Sequence, residues 1–162
     1  MASPLTLILP IIPGTSLEAL NQTLSGSSEQ RDAALKSIGT VHYARILLLD
    51  SSAANLQPSG NPSDRYSFAV ITEYDGSFDD YIHDFVVQVG PIFDALLQFV
   101  VGGQALIPVV DNEAAFAAFI ALNDASQHQP NTGLYQAYTA TVNEILANLP
   151  APEPAPEPAP AS

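Results

Sequence analysis

The chain has no cysteine and no tryptophan, only four basic residues and only three histidines. Without cysteine there is no disulfide, no iron–sulfur cluster, no thiol nucleophile and no thiolate zinc site. Arg31, Lys36, Arg45 and Arg65 stand against 17 acidic residues, for a net charge of −13. So few cations cannot neutralise a run of phosphates, which excludes nucleic acid and anionic membranes as expected partners. His42, His83 and His128 lie too far apart in the chain to suggest a metal cage, and no metal or cofactor is expected. No apolar run approaches the roughly 18 uninterrupted residues of a membrane span. The stretch Met1–Pro13 is apolar but has no basic leader region, and its prolines interrupt it. No targeting segment is therefore expected, and the cytoplasm is the default location.

What is present describes a globular chain. Of its 162 residues 47% are apolar and 13% charged, enough to bury a core without disulfides. Residues 1–149 read as one domain. Residues 150–162 repeat Ala-Pro-Glu-Pro and then end in Ala-Pro-Ala-Ser. Alternating prolines favour an extended polyproline chain of about 3.1 Å per residue, a solvated tail or a linker to a fused or tethered partner.

Along the body, Leu5–Ile12 reads as a buried strand with Pro10 marking an edge position or a bulge. Thr15 and Glu18 are spaced to box the start of a helix, and Ser27 and Gln30 a second one ending at Gly39. Thr40–Asp50 is the clearest strand, followed by a polar loop over Ser51–Asp64 and a strand over Arg65–Tyr74. Ser77 caps a long helix that Pro91 is expected to kink or restart. Asp111 should cap an Ala/Phe-rich helix, and Thr141 with Glu144 a last one.

The order strand, helix, strand, strand, helix opens a βαββαβ motif, so the expected fold class is α+β, ferredoxin-like, with extra C-terminal helices. For the missing fourth strand Gln104–Val110 and Asn131–Tyr138 compete, and the second alternates better. Both faces of the central hairpin are apolar, whereas a sheet wetted on one side alternates cleanly. A second subunit laid sheet against sheet, or the extra helices, would cover the spare face.

Charge suggests a register. If Asp50 lies opposite Arg65, His42 falls opposite Glu73 on a largely apolar face. The carboxylate would then hold the imidazole's tautomer and let it act as a general base, or the two would simply satisfy each other. Arg45, in mid-strand, either snorkels, pairs with a carboxylate across an interface, or binds a ligand's acid or phosphate group. His42, Tyr43, Arg45 and Glu73 are therefore the candidate ligand-binding residues. His83 falls beside Asp79, Asp80 and Asp84, away from its helix's apolar stripe, and His128 sits in a polar loop.

Val41 to Arg45 with Asp50, the strand and turn from Phe68 to Gly76, the Gly90–Pro91 helix and the run Pro130 to Tyr135 resemble a small bacterial family. That family lies within the dimeric α/β-barrel, ferredoxin-like superfamily, whose members include cofactor-free monooxygenases, muconolactone-isomerase-like proteins and haem enzymes. The resemblance covers most of residues 5–149 and implies a homodimer. The haem branches need a pocket-facing histidine, which the exposed reading of His83 does not supply. Two functions follow as expectations. One is a non-catalytic dimeric module that binds a small apolar ligand or serves as an accessory domain. The alternative is a cofactor-independent, monooxygenase-like enzyme acting on a small hydrophobic substrate.

The tail has no apolar stripe, and its prolines supply no backbone donors. Deleting residues 150–162 is expected to leave the melting temperature unchanged in a calorimetric scan, and a clear drop would show that the tail docks on the body.

Overall fold

The computed structural model describes residues 2–26, 28–60, 63–133 and 138–150. Three strands form one antiparallel sheet: β1 (Ser3–Pro10), β2 (Val41–Asp50) and β3 (Tyr66–Tyr74), in the order β1-β3-β2. Two helices, α1 (Leu17–Gly26) and α2 (Ser28–Ile38), cross from β1 to β2. After β3 come α3 (Phe78–Leu97), α4 (Glu113–Asn123) and α5 (Val142–Asn148). The α+β class is as expected. No helix among the described residues is long and apolar enough to cross a membrane.

The core lies on one side of the sheet. Leu5, Leu7 and Leu9 of β1 and Phe68, Val70 and Tyr74 of β3 point into it, each at most 5% exposed. Period-two alternation puts their neighbours on the other face. The long helix α3 supplies Tyr81, Ile82, Phe85, Val89 and Phe93. Its rings form a ladder: Tyr74 stacks on Tyr81 at 4.0 Å, and Phe93 meets Phe116 of α4 edge-on at 5.5 Å. The Tyr81 hydroxyl is 3.1 Å from the Thr72 hydroxyl, so its polar tip is paired inside the core. Burial raises the Tyr81 pKa well above its ordinary value.

Several expectations are corrected. Helix α3 runs through Pro91 without restarting. Proline leaves the carbonyl four residues back, that of the exposed Val87, without its helical donor. Ser16 rather than Thr15 caps α1, its hydroxyl accepting from the Ala19 amide at 3.1 Å. Asn112 rather than Asp111 precedes α4. Ser27 lies outside the described residues. The Thr141–Glu144 capping box forms as read, with both reciprocal bonds present.

The fourth strand is the larger difference. Gln104–Val110 makes short 3-10 turns, and Asn131 and Thr132 form a turn, with residues 134–137 outside the described ones. The edge of β1 is closed instead by Asp124, which bridges to Leu7. Its buried carboxylate accepts from the Thr6 amide at 2.9 Å, the Ser126 amide at 3.0 Å and the Ser126 hydroxyl at 2.7 Å. One acid thus satisfies a strand edge and the turn that follows α4.

Replacing Asp124 with Ala strands these buried donors and is expected to cost on the order of 2–3 kcal/mol, read by urea unfolding. Asp124→Asn keeps an acceptor oxygen and should cost less.

Candidate functional site

The β2–β3 register is one residue away from the charge-based expectation: Asp50 lies opposite Tyr66, not Arg65. The reason is local. The Asp50 carboxylate accepts from the Ser52 amide at 2.9 Å, the Ser52 hydroxyl at 2.6 Å and the Ser63 hydroxyl at 2.8 Å. The Ser52 hydroxyl holds its pKa below the ordinary value, against the opposing pull of burial. All three bonds fall on one oxygen, so the loop fixes this carboxylate and Arg65 acts on it only through its charge.

At the other end of the hairpin the register shifts between Val41 and Tyr43, leaving His42 as the extra residue of a bulge. Bulges re-aim a side chain. Tyr43, not His42, lies opposite Glu73, and its hydroxyl donates to the carboxylate at 3.4 Å. His42 turns to Asp75 instead, with Nε2 3.1 Å from Oδ1. The two atoms are close but not aligned as a hydrogen bond. The expected His42–Glu73 pair is therefore replaced by His42–Asp75. Arg45 lies opposite Ile71, two residues along from Tyr43 on the face away from the helices.

Two further elements complete the cluster. Asp75 Oδ2 accepts from the Val142 amide at 2.8 Å, at the start of α5, and the Asp75 amide donates to the Thr40 carbonyl at 2.8 Å. Thr40 Oγ1, His42 Nε2, Glu73 Oε2 and Asp75 Oδ1 are all buried without a hydrogen-bond partner. Such atoms are costly to bury, so the surrounding backbone holds this cluster together rather than its own bonds.

The two carboxylates respond in opposite directions. Burial raises the Glu73 pKa above its ordinary 4.5, outweighing the Tyr43 hydroxyl and His42. Burial also pushes Asp75 upward, but the Val142 amide and His42 together win and hold it below 3.8. Burial, then the Glu73 charge, raises the Tyr43 hydroxyl. Sequence reasoning found His42, Tyr43 and Glu73 and missed Thr40 and Asp75. The Asp75–Gly76 turn and the Thr141–Glu144 box were both legible, but their meeting was not.

The remaining histidines are elsewhere. His83 is exposed, with Nδ1 3.1 Å from Glu113 of α4, and His128 is exposed in its loop. No group of three or more His, Asp or Glu among the described residues is placed to hold a metal ion. Between α2, α3 and the sheet lies an apolar gap beside Leu35, Ile46, Val70, Phe85 and Phe93, with the part-exposed Arg31 on its wall. Its free volume is about 20 Å³, room for one water molecule. Set against models of protein families, curated proteins and solved structures, the chain finds no match in any of the three.

Ionised Glu73 is a net cost to the folded state, because a raised folded pKa adds stability only below about 4.5 and loses it as pH climbs. Asp75 is the reverse: its lowered pKa adds stability above 3.8, lost as pH falls through the folded value. At pH 7 Glu73→Gln should stabilise and Asp75→Asn destabilise, each by less than about 1 kcal/mol after solvent screening. Urea unfolding at pH 7 and pH 3 tests both signs, and the difference between the variants should shrink in acid.

Proposed function

We propose that this chain is a non-catalytic, ferredoxin-like binding module that pairs with a second copy through the uncovered face of its sheet and encloses a small apolar ligand there. One observation carries the reading: the face turned away from the helices is itself apolar. Ile8 of β1, Leu47 and Leu49 of β2 and Ile71 of β3 stay outside the core cluster, and Ile8 is 40% exposed. A second sheet laid against this face removes that surface from water. The β1-β3-β2 order, with two helices crossing from β1 to β2, supports the ferredoxin-like part of the reading. Tyr43, Arg45 and Glu73 stand on the same face, at the end nearer the His42 bulge.

The monooxygenase-like alternative has less support. Its general base would be His42, whose Nε2 is buried against Asp75 rather than open to a substrate.

Light scattering after size exclusion is expected to give twice the 17.1 kDa chain mass at micromolar concentration. Leu47→Glu places a charge in the middle of the face and should reduce the mass to that of one chain while the fold persists. A wild-type mass of one chain would overturn the paired reading.

A further inference from the structure

The two edges of the sheet are built differently. The Ile11 amide donates to the Tyr66 carbonyl at 3.0 Å, which sets the phase of β1: Pro4, Thr6, Ile8 and Pro10 turn their backbone groups outward. Two of these four have no N–H. The Thr6 amide is taken by Asp124, the Pro4 carbonyl by the Ser126 hydroxyl and the Pro10 carbonyl by the Val101 amide. This edge is closed to further pairing.

The β2 edge is open. The Ser51 amide donates to the Arg65 carbonyl at 3.0 Å, so the odd residues of β2 face β3 and Ala44, Ile46 and Leu48 turn outward. Asp50, next in that series, gives its amide to the Leu56 carbonyl at 3.0 Å. The outward N–H and C=O groups of Ala44, Ile46 and Leu48 have no partner among the described residues. Their stretch of strand carries no proline, and the only bulge lies upstream of it. Exposed strand edges are normally blunted by such devices, because donors and acceptors at two-residue spacing are a template for another strand.

Charge selects the occupant. Arg45 flanks this edge on the uncovered face, and Arg31 of α2 borders Ala44 and Ile46 on the helix side. These are half of the four basic residues in the chain. Arg45 has no ion pair among the described residues, and Arg31 meets only the adjacent, exposed Asp32 at 3.2 Å. A second copy of β2, paired antiparallel about Ile46, would set Arg45 diagonal to its own image, about 7–8 Å away. No acidic residue between Val41 and Leu49 would offset that repulsion. An extended segment bearing Asp or Glu on one face meets Arg45. Asp32 offsets Arg31, and the acidic surface beyond about 8 Å is screened at physiological salt, which leaves Arg45, without an ion pair among the described residues, as the cation that meets an added strand.

We propose that the outer edge of β2 accepts an extended acidic peptide from a partner protein, which adds to the sheet as a strand beside Ala44, Ile46 and Leu48. This surface is the sheet's edge and does not depend on the pairing of its face.

The test is titration of the full chain with a capped octapeptide of alternating Thr and Glu, followed by NMR and amide hydrogen exchange. The expected result is saturable binding with new protection at the Ala44, Ile46 and Leu48 amides. Ile46→Pro removes an outward donor without touching the β3 ladder and should abolish that protection, with circular dichroism showing the fold retained. Arg45→Glu should weaken binding by roughly tenfold, the scale of a lost charge-assisted contact. If Ile46→Pro does not fold, the protection pattern in the wild-type chain decides instead. No binding at millimolar peptide, equal binding of a Thr/Lys peptide, or edge protection that grows with protein concentration alone would each overturn the proposal.

Discussion

Strand Tyr66–Tyr74 hydrogen-bonds to a neighbour on each side, and the placement of every other element refers to that double pairing. Its even-numbered residues enter the core, where Phe68 is fully buried and Thr72 meets Tyr81. Its odd-numbered residues occupy the other face, where Ala69, Ile71 and Glu73 stand. Helix α3 and its aromatic ladder can cover only one side of so small a sheet. A two-sided apolar strand therefore leaves an apolar surface, and the proposed function grows from that geometric shortfall.

Several acids in this strongly acidic chain serve as acceptors for backbone and hydroxyl donors rather than as partners of cations. Asp50 holds the loop after β2, Asp124 closes the edge of β1, and Asp75 ties the start of α5 to the end of β3. Asp94 likewise accepts the Val109 amide at 2.9 Å. Carboxylates make strong hydrogen bonds to amides because the acceptor is charged. A chain that uses its acids this way folds with few basic residues, and a cation without an acid partner among the described residues, such as Arg45, then stands out.

The bulge at His42 connects fold and site. One extra residue in β2 passes the place opposite Glu73 to Tyr43 and brings the imidazole to Asp75. The carboxylates of Glu73 and Asp75, two residues apart, are left with opposite pKa shifts because only Asp75 gains a backbone donor. The result is a compact polar knot at the end of an apolar face, suited to fixing the hairpin end and the approach of α5.

Local chemistry was legible in the sequence wherever neighbours in the chain decide the outcome. Composition excluded thiol chemistry. Alternation located β2 and β3, Ser77 and the Thr141–Glu144 box started their helices, and Pro10 placed β1 at an edge. Register was not legible, because Asp50 could pair across the hairpin or bind its own loop, and only the folded loop over Ser52 and Ser63 chose the latter. The fourth strand was not legible either: Asp124 reaches Thr6 across 118 residues, and no local pattern announces that bond. The sequence by itself determined most of the strands and helices, since propensity, capping and periodicity act over a few residues. Tertiary structure decided which polar groups distant in the chain meet, since that depends on one-residue shifts and long-range contacts whose energies local sequence does not encode.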